Sequence, residues 1–309
     1  MKRANMGLLI LAAILAVLPF VLPNSFYFDI VNRMAINAVL ALGLNLLIGF
    51  AGQISLGHAA FFGIGAYASA VLTVHYAWPP LAAMAVGAVF ASVLAAVIAP
   101  PIFRLRGHYL AMATLGLGVI VAIVLKNEGQ LTGGPDGMSL APLTIFGREI
   151  YGERQWYWLF AGLLLFSVWS CLNLIDSPFG RALRALHGSE VAAKVAGVDI
   201  ARYKAAIFVL SAFFASIMGS LTAHYIGFVT PNLADFFHSI ELVTMVVVGG
   251  MASVFGSVVG AALLTVLPQA LVSFEGWETV VFGLILVGFM IFLPKGLVPS
   301  LAARLSRPR

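Results

Sequence analysis

The sequence predicts an all-α fold: a polytopic transmembrane helical bundle of about 8–10 membrane segments, some of them broken or re-entrant. Composition is the first reason. Hydrophobic residues make up 61% of the chain and charged residues 9%, with a mean hydropathy of +1.03, whereas soluble domains hold roughly 45–50% apolar and 25% charged residues. The second is the length of the uncharged runs: Met34 to Phe103 contains no Lys, Arg, Asp or Glu across 70 residues, and Leu242 to Phe274 adds another 33. One crossing takes about 20 apolar residues, so the first run alone has room for about three. The third is the placement of the basic residues, from which the orientation of the segments follows.

Charge punctuation divides the chain into apolar segments at about 6–22, 30–50, 54–74, 80–103, 108–126, 156–175, 204–227, 240–252, 254–273 and 279–294. The first follows Lys2 and Arg3 and has the basic start and apolar middle of a signal peptide. It lacks a small-x-small cleavage site before "LPNSF", so it reads as a retained helix, with the N-terminus inside. Four crossings return the chain to the cytoplasm at "RLRGH", where Arg104 and Arg106 agree with the count. Segment five leads to an outer loop, 127–155, which sets Glu128, Asp136, Glu149 and Glu153 against Arg148 and Arg154. Segment six leads to a cytoplasmic loop, 176–203, with Arg181, Arg184, Lys194 and Arg202, followed by Lys204.

In the last third, 33 uncharged residues are read as two pieces, because Gly249, Gly250 and Gly256 cluster in "VVGGMASVFGS", where helix continuation is weakest. The piece 240–252 is too short to span alone, which leaves a re-entrant course open; the same choice stays open for 54–74. Two pieces put Glu275 and Glu278 outside and Lys295, Arg304, Arg307 and Arg309 inside, so that both termini are cytoplasmic. Thirteen of the 17 basic residues then lie on the cytoplasmic side. The whole chain, 1–309, is expected to be one transmembrane domain. "GFAGQISLGHAAFFGIGAYASAVL" and "VVGGMASVFGSVVGAALLTVL" are weakly alike, both Gly-punctuated and broken near the start. Such pairs mark either an internally duplicated transporter with discontinuous helices or simply close-packing small-residue helices.

Several function classes are disfavoured. The basic balance of +5 is what cytoplasmic loops of a membrane protein produce, so no nucleic-acid partner is expected. A single cysteine, Cys171, rules out an internal disulfide and any multi-cysteine metal site; no metal or cofactor is expected. The six histidines are scattered, and no H-E-x-x-H, G-x-S-x-G or paired intramembrane carboxylate occurs, which argues against a membrane enzyme. Ionisable residues are nearly absent from the segments, which argues against an ion-coupled carrier or channel. No G-x-x-x-x-G-K-[ST] occurs, so any ATP-driven function requires a partner subunit.

The membrane interior instead holds neutral polarity: Asn37 and Asn45 in segment two, then Gln53, Ser55 and His58 at the start of segment three. Lipid offers these groups no partner, so they face other helices or a hydrated path. With Gly249 and Gly250 they are the candidate translocation-path residues. In the cytoplasmic loop, Pro178 reads as the first residue of a helix that stops at Gly188. Ser189 then caps a second short helix, Glu190 complements its dipole, Ala192, Ala193 and Ala196 give it a narrow surface, and Gly197 ends it. Asp199 caps the next membrane segment. Two turns of helix are marginal alone, so this knob is expected to dock onto something.

Here the chain resembles the permease subunits of bacterial ABC importers for branched-chain amino acids. "EVAAKVAG" resembles the E-x-A-A-x-x-x-G coupling motif by which such permeases contact their ATPase. "LNLLIGFAGQISLGHAAFFGIGAYASA", "RLRGHYLAMATLGLG", "LTGGPDGMS" and "VVVGGMASVFGSVVGA" resemble further signatures in the expected order, and two of them point to the longer of the two paired permeases. The resemblance implies a bacterial inner-membrane protein without catalysis of its own. It implies a second homologous permease as heterodimer partner, two cytoplasmic ATPase subunits, a periplasmic solute-binding protein and surrounding lipid. ATPase coupling would fall to Ser189, Glu190, Ala192, Ala193, Lys194 and Gly197. Docking of the binding protein would fall to the loops 127–155 and 228–241, with Gly133, Gly134, Pro135 and Asp136 at the turn of the first. Related permeases serve urea or short amides, which stay open as substrates beside branched-chain amino acids.

Overall fold

The computed structural model of the chain describes residues 2–105, 107–145, 147–271, 277–293 and 296–305. Arg106, Glu275, Lys295, Arg307 and Arg309, which carry part of the topology expectation, lie outside the described residues. The order of elements begins with α1 (Lys2–Val21) and α2 (Ser25–Asn45), which runs on into a π-helical turn at Leu46–Phe50. After an irregular stretch come α3 (His58–Val74), α4 (Pro80–Ile102) and α5 (His108–Asn127). The loop that follows holds the short α6 (Gly129–Thr132), a 3₁₀ turn at Gly134–Asp136, and the two-residue strands β1 (Met138–Ser139), β2 (Thr144–Ile145) and β3 (Arg148–Glu149). Next are α7 (Glu153–Asp176), α8 (Pro178–Gly188), α9 (Glu190–Val195) and α10 (Ile200–Ile226). The chain closes with β4 (Phe228–Val229), a 3₁₀ turn at Pro231–Ala234, α11 (Phe236–Gly249), α12 (Val254–Leu271), α13 (Glu278–Phe292) and α14 (Leu297–Leu305).

The fold is a polytopic helical bundle. Six helices are long and apolar enough to cross a membrane, the first of them being α2 with its π turn, Ser25–Phe50; three shorter apolar helices, Met6–Val21, His58–Val74 and Phe236–Gly249, accompany them among the described residues. The ten apolar segments read from the sequence each coincide with a helix. The third begins later than its apolar run, so Gln53 and Ser55 stand outside α3.

The chain passes alternately through two compact units, 46–151 with 178–241 and 1–45 with 152–177 and 242–309. The first is built on α10, which packs along both α3 and α4. In lipid, helices gain little from hydrophobic burial and associate through close packing and hydrogen bonds. The sequence of α4 supplies a stripe of small residues at every fourth position, Ala83, Gly87, Ala91, Ala95 and Ala99, all buried. Its opposite face, with Val89, Phe90, Val93 and Val97, is exposed, as lipid contact requires. Between α3 and α10 the approach is closer still. A Cβ on Gly219 would stand 1.9 Å from the Phe62 carbonyl oxygen, and one on Gly65 would stand 2.0 Å from that of Ser216. Ser220 Oγ donates to the Gly65 carbonyl at 2.7 Å, and Phe61 and Phe103 meet Phe208 edge-on.

In the second unit α2 packs on α7 and α12. Asn32 Nδ2 donates to the Glu153 carbonyl at 3.0 Å, and Asn37 Nδ2 donates to Thr265 Oγ1 at 3.0 Å. Tyr157 of α7 stacks edge-on with Phe28 and donates its hydroxyl proton to the Leu15 carbonyl of α1.

Gly219→Ala forces backbone apart at the α3–α10 contact and is expected to destabilise the protein by about 1–3 kcal/mol. Gly162→Ala in α7 meets nothing within 4 Å and is expected to be neutral or stabilising by up to about 1 kcal/mol. Thermal unfolding of the two variants in detergent, side by side, checks the contrast.

Candidate functional site

The residues singled out by the sequence fall at two helix interruptions, in the α8–α9 loop and in the turn that follows α6, each described by itself. The first interruption follows α2. The Ala51 amide donates to the Leu46 carbonyl and the Gln53 amide to the Leu47 carbonyl, widening the last turn before the chain leaves the helix. Backbone freed from a helix at membrane depth has to be satisfied by protein or water. Gln53 turns its side-chain amide onto the Ala51 carbonyl at 2.9 Å, and Thr114 of α5 accepts the Leu56 amide at 3.0 Å. At the start of α3, Ser239 Oγ accepts the Ala59 amide at 3.0 Å. Ser55 Oγ and His58 Nε2 remain buried without a protein partner, as does His238 Nε2. Buried polar atoms of this kind call for ordered water.

The second interruption lies between α11 and α12, and Asn45 closes it. The side chain, 1% exposed, donates to the Ser253 carbonyl at 3.0 Å and to Ser257 Oγ at 2.7 Å, and accepts the Ala252 amide at 3.0 Å. At two positions flanking this turn only glycine fits: a Cβ on Gly249 would lie 2.0 Å from the Gly256 carbonyl oxygen, and one on Gly260 would lie 2.1 Å from that of Met245. Gly250 adopts φ +123° and is buried. Of the residues expected along a path, Asn37 and Asn45 therefore spend their amides on α12 and on the break. Ser55 and His58 keep polar atoms that no protein group satisfies. The structure brings Gln53, Ser55 and His58 together at one interruption, and Asn45, Gly249 and Gly250 at the other.

In the loop between α7 and α10 local sequence rules hold. Pro178 opens α8, Ser189 Oγ accepts the Ala192 amide at 3.3 Å, Gly197 at φ +84° ends the short helix, and Asp199 Oδ1 accepts the Arg202 amide at 3.2 Å. Two features differ from the sequence reading. Ala193 is buried, 2% exposed, so it seats α9 on α8 and belongs to no outer surface beside Ala192. The outward ridge is made by Val191 and Val195, 73% and 86% exposed, with Lys194 exposed beside them. A helical spacing of four places 191 and 195 on one face and 193 on the other, a signal the sequence held but that the alanines obscured. Glu190 is half-buried and pairs with Lys204 at 2.5 Å. The end of α8 also reaches the first interruption: a Cβ on Gly52 would meet His187 Nδ1 at 3.1 Å.

The turn that follows α6 is a built structure. Thr132 Oγ1, at the end of α6, donates back to the Leu125 carbonyl of α5 and to the Glu128 carbonyl, and accepts the Gly134 amide at 3.2 Å. Gly133 and Gly137 have positive φ, and a Cβ on either would strike a carbonyl oxygen at 2.1 Å. Pro135 and Asp136 are left exposed at the tip, with Gly134 buried beneath. The loop is joined to 228–241 by an antiparallel pair, Met138 with Val229 and Ser139 with Phe228. His224 adds a second tie, donating from Nδ1 to the Ala141 carbonyl at 3.2 Å while Ser69 Oγ lies 2.9 Å from Nε2. Among the described residues no group of three or more His, Cys, Asp or Glu is arranged to hold a metal.

Comparison with known proteins gives a consistent picture. The family described as branched-chain amino acid transport system / permease component matches residues 26–294. The chain is 34% identical over 295 residues to the high-affinity branched-chain amino acid transport system permease protein LivM of Escherichia coli K12, covering 88% of this chain and 69% of that one. It is 25% identical over 285 residues to the LivH permease protein of Salmonella typhimurium, covering 84% and 90%. The ribose import permease protein RbsC of Escherichia coli K12 matches at 25% over 284 residues, covering 87% and 85%. No solved structure matches.

Asn45→Leu removes the partners of the Ala252 amide, the Ser253 carbonyl and Ser257 Oγ together, and is expected to destabilise the protein by roughly 3 kcal/mol or more. Thermal unfolding in detergent, with proteolysis mapped at residues 249–254, checks this; an unchanged melting temperature contradicts it.

Proposed function

The chain belongs to the family of branched-chain amino acid transport system permease components, and from that premise we propose that it is one of two paired permease subunits of an ATP-driven importer. It is a multi-pass inner-membrane protein whose relatives are transport permease subunits. In this reading the chain supplies a gated route and two cytoplasmic ATPase subunits supply the energy. A periplasmic binding protein delivers branched-chain or other apolar amino acids. Relatives named for branched-chain amino acids and for ribose match the same stretch of chain, which supports assigning substrate choice to the binding protein.

The observation that carries the reading is the α8–α9 knob. Val191 and Val195 form an apolar ridge on a six-residue helix in the most basic loop of the protein. That ridge has no use in water and fits a groove on a partner. Basic residues crowd this loop, which supports a cytoplasmic position with both termini on the same side. Behind the ridge, α8 touches the first helix interruption and α10 is locked to α3 and α4. A push on the knob is thereby delivered to α3, which carries His58, and to the irregular stretch before it that holds Ser55. On the opposite side Pro135 and Asp136, held by the Gly133–Gly137 turn and the β1–β4 pair, form the surface proposed to receive the binding protein.

Uptake into proteoliposomes containing this chain, its partner permease, the ATPases and the binding protein is expected to require ATP and to persist without an ion gradient. Uptake driven by a gradient with no ATPase present contradicts the reading. Val195→Asp is expected to weaken ATPase co-purification about tenfold while leaving the melting temperature unchanged.

A further inference from the structure

We propose that Glu190 is a positioning residue: it ties α9 to α10 by neutralising Lys204, and it does not itself contact the ATPase. The inference deepens the importer reading and rests on it for its functional arm. Lys204 lies in the second turn of α10 with its side chain 3% exposed, and its Nζ donates to Glu190 Oε1 at 2.5 Å. A buried ammonium carries a desolvation penalty, and near a helix N-terminus it also opposes the helix dipole. A carboxylate from another element offsets both. Glu190 is suited to that role, because in the first turn of α9 it also complements the dipole of its own helix.

The geometry of α9 separates two functions by face. Val191 and Val195 point outward, 73% and 86% exposed. Ala193 points inward onto α8, and the Glu190 carboxylate points inward onto α10. A helix of six residues does not hold its shape alone. Its N-cap, its single buried alanine and this ion pair are what make it a rigid knob. The pair is a direct side-chain tie from the knob to α10, so a displacement of Val191 and Val195 is passed to α10 without first unwinding α9.

The test exchanges the charges. Glu190→Lys and Lys204→Glu each set like charges together, and the double variant E190K/K204E restores an opposite pair. In the purified permease, hydrogen exchange of the 190–197 amides is expected to quicken about tenfold in each single variant and to return near the wild-type rate in the double variant. In the reconstituted transporter, substrate-stimulated ATP hydrolysis and uptake are expected to follow the same pattern of loss and rescue. If a single variant does not fold, Lys204→Met removes the buried charge without a repulsive contact, and it is expected to keep the fold while loosening α9.

Absence of rescue in hydrogen exchange overturns the proposal. Rescue of exchange without rescue of ATP-driven uptake also overturns it, since the carboxylate would then be needed by the ATPase itself. A wild-type transporter that shows no ATP-dependent uptake defeats the importer reading instead, and hydrogen exchange still decides the tie.

Discussion

Everything in the 46–151 and 178–241 unit depends on how closely α3 and α10 approach. Carbonyl oxygens of Phe62 and Ser216 occupy the space where side chains of Gly219 and Gly65 would stand. Together with the small stripe of α4, this sets backbone against backbone at the glycine positions of the three helices. A packed interface of backbone on backbone deforms little and shifts as a body. That property gives the loop between α7 and α10 its significance, because α8 and α9 are joined directly to the N-terminus of α10 through Asp199 and Lys204.

The interruptions are governed by a second constraint, that non-helical backbone cannot face hydrocarbon. The protein meets it with neutral amides and hydroxyls. Gln53, Thr114 and Ser239 close the stretch before α3, and Asn45 closes the turn between α11 and α12. Charged groups would be expensive at that depth, and the sequence spends almost none there. Neutral partners also leave the breaks free of strong charge. Unsatisfied atoms near the first interruption, on Ser55, His58 and His238, mark where hydration belongs.

Much of this was legible in the sequence, and the reason is locality. A capping residue acts on an amide three positions away, so Ser189 and Asp199, with Pro178, Gly188 and Gly197 around them, can be read from a short window. Apolar runs between charges gave all ten segments for the same reason. What the sequence did not disclose are partners far along the chain. Asn45 meets residues more than 200 positions away, and the outer loop pairs with Phe228–Val229 some 90 positions on. No window spans such distances, and a buried asparagine reads the same whether it lines a route or ties two helices. The face of α9 is an intermediate case. Periodicity assigns Val191 and Val195 to one side, yet which side faces outward is fixed by α8 and Lys204.

The account's central claim is that the knob and α10 move as one body. The distance between spin labels placed at Val195 and Ile226, both exposed, measures it most directly, and Cys171 is buried and the single native cysteine. Recorded in the assembled transporter without nucleotide, with ATP, and after hydrolysis, the distance distribution is predicted to stay the same while uptake proceeds. A second distance that appears with ATP would mean that α9 swings on α10, and would contradict the account.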